Sequence, residues 1–97
     1  MPKDHHFRIG VDASKWLWRY SALRGDADGW TEYSKRKVLI HDKLKGPSLL
    51  ETEIHEGLHC TLGPVISESS VTQAAKDLSK ILWRLGYRRL HSDELSG

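Results

Sequence analysis

The chain has 97 residues and a mass of 11.1 kDa, the size of one small domain, because two separate cores would each fall below the length that folds unaided. Hydrophobic residues make up 38% and charged residues 29%, with four Trp, three Tyr and one Phe, which excludes a disordered tail and supplies apolar surface for a core. A single Cys excludes a disulfide framework or an all-thiolate metal cage, and 15 basic against 13 acidic residues leave a net charge of +2, no footprint for nucleic acid or an anionic membrane.

The start, Met1-Pro2-Lys3-Asp4-His5-His6, is polar and lacks a signal-peptide core, and no apolar run approaches a bilayer span, so a cytoplasmic protein is expected. The lone thiol fits the same reducing compartment. Residues 1–6 are expected to fray, which leaves His5 and His6 without a shared ligand. Phe7, Ile9 and Val11 alternate with Arg8 and Gly10 and predict a short strand; Trp16, Trp18 and Tyr20 predict a second with three aromatics on one face. Arg24-Gly25-Asp26-Ala27-Asp28-Gly29 is a breaker cluster and predicts a loop. Lys35-Arg36-Lys37 then leads into Val38-Leu39-Ile40-His41, a strand expected to pair antiparallel with the aromatic one, its basic entry reading as a solvated edge.

Pro47 suits the first turn of a helix, along which Leu50, Ile54, Leu58 and Thr61 recur every three or four residues until Leu62-Gly63-Pro64 stops it. Ser67 is an N-cap for a second helix, with an apolar stripe of Val71, Ala75, Leu78, Leu82 and Leu85 that ends before Gly86. The fold class expected is α+β: a small antiparallel sheet of two to three strands packed on a two-helix hairpin, one domain over residues 1–97, with a flexible tail at 90–97.

His55-Glu56-Gly57-Leu58-His59 carries the chemistry. Histidines four apart project from one helix face and can direct two imidazole nitrogens at one ion. Neutral imidazole suits Zn²⁺, and Cys60 alone cannot supply the thiolates of a structural site, which leaves the catalytic template. Glu56 is then the general base that takes a proton from water and passes it to a leaving amine. A third ligand is expected from the returning helix. Glu68 continues the stripe of Val71 and Ala75 and should point toward His59; Asp77 ranks second, because it sits off that stripe and its shorter side chain would have to span a helix gap of about 8–10 Å. Asp12 and Asp28 read as turn formers, Cys60 as a packed thiol, and His41 and Tyr87 as lesser candidates for a supporting role.

From Val38 to Arg89 the chain resembles the zincin metallopeptidases, in particular small gluzincin-like proteins of bacteriophages and bacteria, in its run of strand, HExxH helix and following helix. The resemblance implies zinc at His55 and His59, Glu56 as general base and a carboxylate of the second helix as third ligand. Cys60-Thr61-Leu62-Gly63-Pro64 departs from the metzincin pattern, having no histidine at the expected place, and there is little room for the substrate subdomain of larger gluzincins. The function expected is a zinc-dependent metallopeptidase acting on peptide or protein, with Val38–Ile40 receiving the extended substrate by edge addition. The alternative is a non-catalytic, zinc-stabilised protein-binding module of phage type, anchored by Trp30; nucleic acid and membrane are not expected partners.

Overall fold

A computed structural model describes residues 3–89 and shows an α+β protein in which a four-stranded mixed sheet carries two helices. The strands are β1 (Lys3–Ile9), β2 (Ser14–Ser21), β3 (Gly29–Glu32) and β4 (Lys37–His41); the helices are α1 (Gly46–Leu62) and α2 (Glu68–Arg84). β1 and β2 form an antiparallel hairpin that opens from Ile9 opposite Ser14, with the Asp12 carboxylate accepting from the Ser14 amide at 3.2 Å in the turn. Asp12 thus forms a turn, as its residue type suggests.

The sheet departs from the expected one in its strand bounds, strand number, strand direction and basic run. β1 begins at Lys3, so residues 3–6 belong to the sheet and are not frayed, while Val11 lies outside it, fully exposed in the turn. β3 is an additional strand, and it reverses the chain once more before β4; β4 therefore runs parallel to β2, not antiparallel, in the order β1-β2-β4-β3. β4 is consequently flanked on both sides, and the outer strands of the sheet are β1 and β3. Lys35 and Arg36 sit in the β3–β4 turn and Lys37 opens β4, so the basic run marks a turn rather than a sheet edge.

The register places Trp18 opposite Val38 and Tyr20 opposite Ile40, with Thr31 and Gly29 across β4 on the same face. Alternation then buries that one face: Trp16, Val38 and Ile40 form the core with Cys60 of α1, and Ile9, Trp18, Tyr20, Tyr33, Leu44 and Leu49 pack around them. Val38 and Ile40 are wholly buried, each worth about 1.5–3 kcal/mol relative to exposure.

Pro47 stands in the first turn of α1, where its missing amide is no loss, and Gly63 ends the helix at φ 84°, donating its amide to the His59 carbonyl at 2.9 Å. α1 lays Glu56 and Cys60 on the sheet. At about 100° per residue Leu50, Ile54 and Leu58 fall on the opposite side of α1, where they are only half-buried, and Thr61 is exposed. The row expected to be the core face is thus not the one against the sheet. α2 packs on α1 rather than on the sheet. Ser67 caps it by accepting the Ser70 amide at 3.2 Å, and Val71, Ala75 and Ser79 are its buried row. Leu78 and Leu85, expected in that stripe, are exposed, because a heptad stripe drifts off the four-residue ridge that α2 uses here. The expected tail at 90–97 lies outside the described residues. No helix among the described residues is long and apolar enough to cross a membrane.

Candidate metal centre

The four-residue ridge that buries Val71 and Ala75 also aims Glu68, in the first turn of α2, back at α1. Its carboxylate meets both histidines: Oε1 lies 2.8 Å from His55 Nε2 and Oε2 lies 2.8 Å from His59 Nε2. The imidazoles stand one helical turn apart with ring centroids 5.0 Å from each other. One ligand atom from each of the three residues falls within 4.8 Å of the others, the convergence a metal ion requires. Two imidazole nitrogens and a carboxylate are the three-ligand set of catalytic zinc, which leaves a coordination position open. The donor set fits the ion, and the three residues expected from the sequence are the three brought together.

Asp77 is not among them. It is exposed and accepts a hydrogen bond from Gln73 at 3.1 Å on its own helix. His41 turns its Nδ1 to the Lys43 amide at 3.2 Å, and Tyr87 lines a different groove, so neither supports the centre.

Glu56 is buried, 7% exposed, on the face of α1 that meets β3. Thr31 of β3 donates its hydroxyl to Glu56 Oε1 at 2.7 Å, and Oε2 makes no hydrogen bond among the described residues. The close approach of α1 to β3 depends on Gly29, where a Cβ would stand 2.8 Å from Thr52 Cγ2, 2.9 Å from Glu56 Cγ and 3.0 Å from Glu56 Oε2. The Glu56 carboxylate lies on the wall of a cleft.

Tyr33, just past β3, brings its hydroxyl to 3.2 Å from His59 Nδ1 and sets its ring edge-on to Trp16 at 6.2 Å. Burial first, and then electrostatic repulsion from the acidic groups Cys60, Glu56 and Glu68 when ionised, raise the Tyr33 phenol above its ordinary value and keep it protonated. Burial likewise pushes the Cys60 thiol up to about 11, which makes it a packed thiol, as its residue type and place suggest, and a poor nucleophile. Thr31 and Tyr33 were not singled out by the sequence, since Thr31 lies in a strand of four residues whose inward positions, Gly29 and Thr31, carry no apolar alternation, and Tyr33 lies in the turn after it.

These groups line a cleft of about 550 Å³ between β3, the second half of α1 and the start of α2, together with Pro64, Ile66 and Trp30 of β3, which is 53% exposed. A larger groove of about 710 Å³ lies at the other end of the helix pair, walled by Leu44, Leu49, Leu82 and Trp83. It gathers no group of metal-ligating side chains among the described residues, so size and chemistry point to different cavities, and the donor convergence decides. In comparison with known proteins, the chain matches no family model, no curated protein and no solved structure.

Proposed function

We propose that the chain is a zinc-dependent peptidase of the zincin type it resembles. The observation that carries this reading is the meeting of two imidazole Nε2 atoms on the single Glu68 carboxylate, beside a buried Glu56 with one unoccupied oxygen. His55, His59 and Glu68 would hold the ion. When bound, Zn²⁺ supplies Lewis-acid polarisation of the scissile carbonyl.

The remaining steps belong to the protein. Thr31 fixes Glu56 Oε1, which leaves Oε2 to take the proton of the attacking water and hand it to the departing amine. The outer edge of β3 offers unpaired backbone donors and acceptors next to the cleft, so an extended peptide adds there, along β3 and not along the enclosed β4. The ladder to β4 and the Thr31 hydrogen bond to Glu56 hold that edge in place against α1.

A second reading is a zinc-stabilised binding module without turnover, favoured by the exposure of Trp30 next to the cleft. Glu56→Gln separates the two. We expect about one zinc per chain in both wild type and variant, and cleavage of a peptide library by wild type at least ~100-fold faster than by the variant. Zinc without cleavage in the wild type supports the binding module, equal cleavage in the variant refutes Glu56 as base, and no zinc after metal-replete purification removes both readings.

A further inference from the structure

His55 and His59 are not equivalent. Each turns Nε2 toward Glu68, but only His59 is held at its second nitrogen: Nδ1 lies 3.2 Å from the Tyr33 hydroxyl, while Nδ1 of His55 makes no hydrogen bond among the described residues. A ring held at both nitrogens cannot rotate or flip without breaking a contact. We infer that Tyr33 is the positioning residue of the centre, a hydroxyl that keeps the His59 ring aimed at the ion site whether or not an ion is bound. The inference rests on the metal-binding reading above and extends it to the residue that orients one ligand.

A hydroxyl is the partner such a site needs. With no ion, Nε2 of His59 faces the Glu68 carboxylate at 2.8 Å, and the neutral ring accepts at Nδ1 from the Tyr33 O–H. To ligate an ion, Nε2 must be bare, so the proton of the neutral ring moves to Nδ1 and is donated to the Tyr33 oxygen. The phenol serves both tautomers because it both donates and accepts. A backbone carbonyl or a carboxylate could only accept, and a backbone amide could only donate. Tyr33 is itself fixed, its ring edge-on to Trp16, which is 6% exposed, and its carbonyl accepting from the Arg36 amide at 3.2 Å in the β3–β4 turn.

Zinc affinity, read by competition with a chelating dye, is to be compared among wild type, Tyr33→Phe and Tyr87→Phe, with thermal melts of the zinc-free chains. Phe keeps the ring against Trp16, so the zinc-free melting temperature should fall by no more than a few degrees for the loss of one hydrogen bond. Zinc should bind about 10–100-fold more weakly to Tyr33→Phe and unchanged to Tyr87→Phe. Equal affinity in wild type and Tyr33→Phe overturns the inference and leaves the metal centre standing.

Nitrogen NMR of the wild-type histidine rings decides the matter even if the variant does not fold: with zinc bound, the Nδ1 proton of His59 should exchange with water more slowly than that of His55, and equal rates overturn the inference. A wild type that binds no zinc removes the metal reading. The zinc-free spectrum then judges Tyr33, since Tyr33→Phe must shift His59 Nδ1 and leave His55 in place, and an unmoved His59 signal overturns the role.

Discussion

α1 presses two glutamates toward the sheet, three residues apart, and the molecule treats them in opposite ways. Glu53 is met by charge and hydroxyl together: the Tyr20 hydroxyl donates to its Oε2, and Arg89 donates to the same oxygen at 2.7 Å and to the Tyr20 oxygen at 2.7 Å while lying over the Tyr20 ring. Among the described residues, Glu56 has the Thr31 hydroxyl alone, no cation, and an oxygen without a hydrogen bond. The first carboxylate is neutralised and ties the end of the described chain to β2, whereas the second is buried and left incomplete. The two acids thus differ in depth and in partner: Glu53 is half-buried beside a cation, and Glu56 is buried beside a hydroxyl at the cleft that His55, His59 and Glu68 line.

The largest expected effect comes from exchanging the charge of each acid in turn. Glu56→Gln should lose at least ~100-fold in peptide cleavage, yet melt at the same temperature or slightly higher, because a buried charge with one partner is replaced by an amide that still accepts from Thr31. Glu53→Gln should do the reverse. Cleavage per folded molecule stays near wild type, and stability drops by about 1–2 kcal/mol in a denaturant titration, the range for a charge-assisted hydrogen bond discounted for the exposure of Arg89. Parallel losses of stability in both variants would break the distinction between the two acids.

Next in size is the steric tie between β3 and Glu56. Gly29→Ala sets a Cβ within 3.0 Å of Thr52 and Glu56 atoms, and the Thr52 methyl and the Glu56 stem have little room to withdraw from a packed seam. We expect a loss of about 1–3 kcal/mol by thermal melt, together with slower cleavage because Glu56 moves off its Thr31 contact. A variant that melts lower but cleaves normally would show that the seam adapts without disturbing the base.

The two acids also differ in how legible they were. Glu56 and its neighbours His55, His59 and Glu68 could be read from local rules: four-residue spacing on α1, and a stripe on α2 that leads from Val71 and Ala75 back to Glu68. Pro47, Gly63 and Ser67 bounded the helices for equally local reasons. The partners could not be read that way. Thr31 lies in, and Tyr33 just after, a strand of four residues that follows an Asp-Gly loop, and that same missing strand reversed the direction expected for β4 against β2. The sheet-facing side of α1 was hidden too, because a helix held between a sheet and a second helix is apolar on two sides, and its outer row of Leu50, Ile54 and Leu58 is the more hydrophobic one. Tertiary placement, not composition, chose the side that carries Glu53 and Glu56.

The smallest effect lies on the Glu53 side and appears only in alkali. Burial, then the hydrogen bond and negative charge of Glu53, hold the Tyr20 phenol above its ordinary value of 10.0. The folded chain keeps that proton to a higher pH than the unfolded chain does. The stabilisation it gives is complete below the unfolded value near pH 10 and is lost as the pH rises from there through the folded value. Tyr20→Phe has no proton to lose. At pH 7 it should be less stable by about 0.5–1.5 kcal/mol for the missing hydrogen bond, and the gap to wild type should narrow above pH 10 as the wild type gives up its advantage. Denaturant titrations of both chains between pH 7 and pH 11 measure that gap. A constant difference across the range would mean that the Glu53 cluster does not hold the phenol in its protonated form, and the contrast with Glu56 would then rest on Arg89 alone.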